Sequence, residues 1–412
     1  NDVHYAKQED AKAQDVLICI GTKRLLSDTD RMKFDNDQFY LKSEEEMASL
    51  FPDYPEMITN TKVIADMCDL TIPQYKTQEL KDCLPIYDIP PEFKSQDDYV
   101  RHLVYTGLEK RYKEVTDEIK QRAEYELGII FSMGFSGYFL IVWDFINWAK
   151  NNDVPIGPGR GSGAGSLVAY AMTITDIDPF RYKLIFERFL NPERVSMPDT
   201  DTDVNDRAKV INYLIDKYGQ NRVCQIINFS FITPVVAIKD VGKVLGFKYA
   251  EMDKLSKKFT YDNFQDCLDN NQSLLEMPQY EELFDIASHL SGRVKTVSMH
   301  AGGVGIVDTD ISDYMGMKLG KDGEHVIQVD KRVIENIGII KFDILGVQTL
   351  SLVSEAMTDA GLNEYDKMFT INGKRLSKKE QLKRKRRKKR IKLCIFEYII
   401  FLVTQTKLDG LL

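Results

Sequence analysis

A mixed α+β fold is predicted for this chain of 412 residues by three features of its sequence. Strand-like runs are few, and one of them, "DTDTDV" at 199–204, carries an acid at every second position. Helix-like segments gather in long blocks, around 98–152 and 226–290, instead of alternating with strands one for one. Between an apolar strand-like run and an apolar helix-like run lies "VPIGPGRGSGAGSLVAYAM" at 154–172, with five glycines and one arginine. Something must come close to that backbone.

In chain order, the first 75 residues hold a strand-like "DVLICIG", a turn-rich "SDTDRMKFDNDQFYLKS", and "SEEEMASLF", where Ser43 and Glu46 have capping-box spacing. "CLPIYDIPPEFKSQDDY" reads as a linker because of its prolines. Residues 98–127 form a long charged helix or helix pair, and "GYFLIVWDFINWAKNN" at 137–152 an apolar helix ended by Asn-Asn-Asp. Two short helical pieces and "NPERVSMPD" occupy 167–200, and the region 226–290 is polar and helical. "HAGGVGIVDTDI" at 300–311 reads as a glycine turn entering a strand, and "GIIKFDILGVQTLSLV" at 338–353 as a strand leading to a helix. No internal repeat is present, and both ends read as cuts.

The composition, 43% hydrophobic and 10% aromatic, is that of a globular protein able to bury real cores. Residues 374–392 carry thirteen Lys or Arg against one Glu, so removing their +12 from the net −8 leaves −20 for the rest. Such a body excludes a broadly basic nucleic-acid coat; a polyanion site must be a local groove, and clustered metal-binding carboxylates explain the deficit of positive charge equally well. Six cysteines are scattered without a CxxC pair or zinc-ligand spacing, which fits reduced thiols and a cytoplasmic location. The start "NDVHYAKQED" lacks the pattern of a secretory signal, and the longest apolar run, "LCIFEYIIFLV" at 393–403, is far shorter than the ~20 residues that span a bilayer, so no membrane segment is expected.

Three constellations carry chemistry. The glycine loop lacks the Lys-Ser/Thr end of a P-loop and the spacing of a dinucleotide fingerprint. Gly161-Ser162 and Gly165-Ser166 flank a tight turn whose exit opens a helix, with Arg160 alongside. Backbone N–H groups and a guanidinium there make an anion site; a turn packed between two elements is the competing reading. In "SMPDTDTDVND", Asp199, Asp201 and Asp203 alternate with strand formers, so a strand would put the three carboxylates on one face with ~6 to 7 Å between successive positions. Like charges so close call for a cation between them, unless the run is a solvated loop. Asp343 sits in the apolar "GIIKFDILGV", where a carboxylate is costly unless paired or metal-bound, or else caps the next helix. Lys341 would share its strand face. Together with Arg160 and Arg188, these acids fit two-metal phosphoryl or nucleotidyl transfer with Mg²⁺, or Mn²⁺ in its place.

The same residues resemble a known family. "GPGRGSGAGSLVAYAMTITDIDPFRYKLIFERFLNPERVSMPD" looks like the signature region of the C-family replicative polymerases of bacteria, the DNA polymerase III alpha subunits. "KFDILGVQTL" resembles their third-aspartate motif, "HAGGVGIV" another palm segment, and "NDVHYAKQED", "DVLICIGT" and "DQFYLKSEEEM" the end of their PHP domain. The resemblance runs from residue 1 to about 357. It implies a DNA-directed DNA polymerase with a polymerase beta-like nucleotidyltransferase palm. The palm would occupy 76–225 and 291–357 with a helical thumb at 226–290, a PHP remnant at 1–75, no fingers domain, and a divergent tail at 358–412. By resemblance Asp199, Asp201 and Asp343 hold two Mg²⁺ ions, with Asp203 as an alternative member, and Gly161, Ser162, Arg188 and Lys341 contact the incoming dNTP. Asp2 and His4 look like the last ligand pair of a PHP metal site whose remainder would lie upstream. Primer-template DNA, the sliding clamp, the clamp loader and replisome subunits are the implied partners, with the cytoplasm as location. Thr200, Thr202 and Val204 depart from the bulky apolar residues and Phe usual around the aspartates. The tail resembles nothing in the family; it reads as a DNA-backbone patch, or as a disordered or out-of-frame segment.

Overall fold

The β-branched run "DVLICIG", read above as a strand, folds as part of a helix. Ala13, Val16 and Cys19 are buried at intervals of three, which is helical and not strand periodicity, and Lys23 ends the helix in the left-handed region. Propensity lost here to burial on one face. The structure, a computed structural model, describes residues 2–76, 79–193, 197–274 and 276–359; the basic tail from 360 onward lies outside the described residues.

The elements in chain order begin with helices α1 (Ala11–Thr22), α2 (Glu44–Leu50) and α3 (Glu56–Asp66). α2 opens on the expected capping box, with the Ser43 amide donating to Glu46 at 2.7 Å and the Glu46 amide to Ser43 Oγ at 3.2 Å. The charged segment is a pair, α4 (Gln96–Arg111) and α5 (Asp117–Ser132), capped by Ser95 and Thr116. The apolar α6 (Ser136–Asn151) follows, then the short α7 (Leu167–Ala171) and α8 (Pro179–Tyr182). Strand β1 (Asp201–Val204) leads to α9 (Arg207–Tyr218), capped by Asp206.

Strand β2 (Val223–Phe231) occupies the start of the region read as helical, a correction that its buried "VCQII" explains. Helices α10 (Pro234–Val244), α11 (Tyr249–Ser256), α12 (Phe264–Asp269) and α13 (Glu281–Leu290) come next. Strand β3 (Val294–Ile306) runs straight through Gly302 and Gly303, where a turn was expected. A Cβ at Gly302 would lie 2.5 Å from Leu345 Cδ2, and one at Gly303 2.6 Å from Ile226 Cδ1, so these glycines serve close packing within the sheet. Strands β4 (Met317–Leu319), β5 (His325–Asp330) and β6 (Ile340–Gly346), then helix α14 (Thr349–Asp359), complete the described chain.

The chain divides into two units. Residues 1–72 and 229–298 form one, whose core joins Val16 and Cys19 of α1 to Ile238 and Val241 of α10 and Phe284 and Ala287 of α13. Residues 73–228 and 299–359, as far as they are described, form the other. Strand order in the sheet is β1-β6-β3-β2-β5-β4, with β1–β6 and β2–β5 parallel and β3–β6 and β4–β5 antiparallel. One core of the second unit packs Val204, Val304, Ile340, Phe342 and Ile344 with the helices carrying Val104, Leu127, Tyr138, Phe139 and Leu214. A second gathers Cys224, Ile226, Ile327, Val329 and Ile339. Among the described residues no single helix is long and apolar enough to cross a membrane.

Candidate active site

Alternation along β6 builds the site. Ile340, Phe342 and Ile344 are buried in the helical core, which leaves Lys341 and Asp343 to the other face. β1 runs parallel beside it in a register that sets Asp201 opposite Asp343. Asp199 enters just before β1, on a segment anchored by the Thr200 amide donating to Tyr138 Oη at 3.2 Å. The Tyr138 ring is itself stacked on Phe342, with centroids 5.1 Å apart. Carboxylate oxygens of Asp199, Asp201 and Asp343 thereby come within 4.8 Å of one another, and theirs is the one acid, His or Cys group among the described residues placed to hold a metal ion. Asp203 stands apart from that group: its carboxylate is buried and faces Arg160 at 3.5 Å.

Electrostatics follow from this crowding. Burial and the charges of Asp343 and Asp201 outweigh Lys341 and push the Asp199 carboxyl up to about 6. Burial likewise raises Asp201 and Asp203 against the pull of Arg160. Lys341 Nζ donates to Asp343 Oδ2 at 2.6 Å. Burial alone would lower its pKa, but that bond and the charges of Asp343, Asp199 and Glu335 carry it upward. Lys341 and Arg160, the latter 3.5 Å from Asp201, are the cations set against the acids.

The glycine loop lies along β1, with the Gly157 amide donating to the Asp203 carbonyl at 2.8 Å and Asn205 N–H to the Pro155 carbonyl at 2.9 Å. What approaches its backbone is first the protein itself. A Cβ at Gly157 would meet Asp203 Cβ at 2.9 Å, at Gly159 the Thr175 side chain at 2.8 Å, and at Gly165 the Ile185 carbonyl at 2.6 Å. A Cβ at Gly161, whose φ is +64°, would stand 3.0 Å from Asp201 Oδ2, so this glycine borders the carboxylate cluster. The helix opened by the loop, α7, is not an anion site. Its N-terminus is filled by Glu126, fully buried, which accepts from Val168 N–H at 3.1 Å, Ser166 Oγ at 2.9 Å and Arg122 Nε at 2.6 Å. Gly157, Gly159 and Gly165 thus belong to a turn packed between elements, while Gly161 borders the acids.

A family model described as the bacterial DNA polymerase III alpha NTPase domain matches residues 98–346, well over half of the chain. The chain belongs to the bacterial DNA polymerase III alpha family. It is similar to the DNA polymerase III subunit alpha of Treponema pallidum, 50% identical over 86% of this chain and 30% of that protein. The subunit of Borreliella burgdorferi is 46% identical over 86% of this chain and 32% of that protein, and that of Escherichia coli strain K12 40% identical over 87% and 32%. The chain therefore spans about a third of the length of the curated relatives it matches.

Ser162 opens a 3₁₀ turn, Ser162–Gly165, that packs against the turn Phe186–Arg188; this leaves Arg188 exposed on the loop's flank, without an ion pair among the described residues. His4 Nε2 lies 3.2 Å from Asp2 Oδ1 beside the Phe34 ring, with no third ligand among the described residues. Sequence reasoning missed three residues that shape the site. Tyr138 was hidden in an apolar helix pattern, and Glu126 in a charged one. Arg207 binds the Ile344 carbonyl at 2.8 Å, Gln225 Oε1 at 2.7 Å and the Gly302 carbonyl at 3.3 Å, tying three strands, and a lone arginine after "DVND" carries no signal of that.

Proposed function

We propose that this chain carries the nucleotidyl-transfer site of a DNA-directed DNA polymerase, which joins a dNTP to a primer 3′-hydroxyl. The observation that supports it most is the register of β1 against β6, which gathers the carboxylates of Asp201, Asp343 and, just before β1, Asp199 beside a glycine loop and Lys341. The donor set fits Mg²⁺: three hard carboxylate oxygens share one small volume, and burial first, then the charges of Asp343 and Asp201, hold the Asp199 pKa high. Bound there, two Mg²⁺ ions, with Mn²⁺ as the alternative, would activate the attacking hydroxyl and neutralise the leaving pyrophosphate. Asp199, Asp201 and Asp343 are the ligands in this reading, and Asp203 holds Arg160 in place. Gly161 lets a phosphate reach the main chain, while Ser162, Arg160, Arg188 and Lys341 supply donors and positive charge to the polyphosphate. Primer-template DNA is the second substrate; the sliding clamp, the clamp loader, other replisome subunits and a cytoplasmic location belong to the same proposal. So do the palm at 76–225 and 291–357, the thumb at 226–290 and the PHP remnant at 1–75.

Mg²⁺ with dNTP should raise the stability of the wild-type chain, by about 2.7 kcal/mol at a hundredfold excess over Kd, and Asp201→Asn should remove most of the gain. Equal thermal shifts in both proteins would overturn the assignment. Extension that follows the template separates a polymerase from a non-templated transferase, and DNA binding without extension identifies a non-catalytic fragment.

A further inference from the structure

His300 stands where β3 begins to pair with β6, and its ring is fixed by the backbone around it. Nδ1 accepts the Gly303 N–H at 2.8 Å and the Gly302 N–H at 3.3 Å. A ring nitrogen that accepts carries no proton, so the proton of the neutral imidazole is on Nε2. Burial first, then Lys331, Lys341 and Arg207 against the pull of Asp343, keep the ring below the ordinary histidine range, which leaves it neutral near pH 7. The ring also has a defined neighbour. A Cβ on Gly303 would come 3.2 Å from His300 Nδ1 and 3.5 Å from Lys341 Cδ, so imidazole and lysine stem flank the same glycine. Gly303 is in turn the register partner of Asp343. The ring thus stands near enough to Asp343 and Lys341 to feel both charges, with its N–H on the nitrogen that the backbone leaves free. Accepting two amides alone needs no imidazole, because Asn performs that turn chemistry.

We propose that His300 is a further substrate-binding residue, whose Nε2–H donates to a phosphoryl oxygen beside Lys341. It adds a hydrogen bond without adding charge to a site already provided with cations. The role rests on the nucleotidyl-transfer reading. The oxygen belongs either to the polyphosphate of a nucleotide or to the backbone of a DNA strand, and two binding arms tell these apart.

The test uses the 412-residue chain as wild type, His300→Asn, His300→Ala and Asp343→Asn. Each is titrated with dATP plus Mg²⁺ and, separately, with primer-template DNA, and the imidazole ¹⁵N resonances are followed. His300→Asn keeps the amide acceptor and should melt with the wild type, yet bind one of the two ligands about tenfold more weakly. The arm that weakens names the source of the phosphate. His300→Ala should lose stability as well. In the wild type, the Nε2 resonance should move on adding that ligand while Nδ1 stays an acceptor. Binding by His300→Asn equal to wild type in both arms, with Asp343→Asn impaired, overturns this role alone. A wild type that binds neither ligand overturns the underlying reading and the role with it.

Discussion

At Asp199 the burial of the carboxyl, set against the attraction of Lys341 and reinforced by Asp343 and Asp201, raises the pKa to about 6, and this has two consequences of opposite sign. Cation binding needs the ionised form, so Mn²⁺ affinity should fall by about tenfold per pH unit once the pH drops below that value. Stability of the metal-free protein goes the other way. A carboxyl whose folded pKa is raised contributes fully below its ordinary value of 3.8 and loses that contribution as pH rises through about 6. Melting curves across this window should therefore show a decline in the wild type that Asp199→Asn flattens, and an Mn²⁺ affinity unchanged between acid and neutral pH would contradict the assignment. Gly161 gives a second test. Its backbone, φ +64° and ψ −156°, is one that only glycine adopts without strain, and a Cβ would stand 3.0 Å from Asp201 Oδ2. Gly161→Val should cost about 1–3 kcal/mol in urea unfolding and also abolish nucleotide binding. Unchanged stability would mean that the loop readily takes another conformation.

The loop and α7 are held from behind by Glu126 of α5. Three donors converge on this buried carboxylate, one of them the Arg122 guanidinium. Glu126→Ala should destabilise by about 3–5 kcal/mol, because it takes the acceptor from the Val168 N–H and Ser166 hydroxyl and leaves Arg122, still bonded to the Gly165 carbonyl, without its counter-charge. Chemical denaturation measures this, and a loss below ~1 kcal/mol would show that water replaces the carboxylate without difficulty. What was legible in the sequence differs from element to element for physical reasons. Helices α2, α6 and α14 announced themselves through a capping box, an apolar run and a strand-to-helix transition, all local signals. α1 did not, because Val16, Ile18 and Ile20 favour a strand and only packing against distant residues makes one helical face worth burying. β2 was masked by the helical segments that follow it. In the site, the alternation of Asp201 with the strand formers Thr200 and Thr202, and of Asp343 with apolar Phe342 and Ile344, could be read directly. Alternation could not choose Asp199 over Asp203; only the resemblance pointed to Asp199, and the grouping itself depends on the register with β6 and on the Thr200–Tyr138 bond.

Over the whole chain, helices α10–α13 share a core with α1, more than two hundred residues earlier in sequence, and nothing in local composition marks that partnership. The carboxylate cluster belongs to the other unit, which has cores of its own. Separate cores imply separate cooperativity: each buries apolar surface without sharing a buried residue with the other, so heat should melt them in more than one step. Mass action then assigns the steps. A ligand stabilises only the folded unit that binds it, so Mg²⁺ with dNTP should raise the transition of the unit carrying Asp199, Asp201 and Asp343, by several degrees at saturating ligand, and leave the other where it was. Asp343→Asn should keep both transitions and lose the shift. Scanning calorimetry with and without ligand makes the measurement, because its calorimetric enthalpy exceeds the van't Hoff value when units melt apart. A single transition that moves as one would show that the chain is one cooperative body.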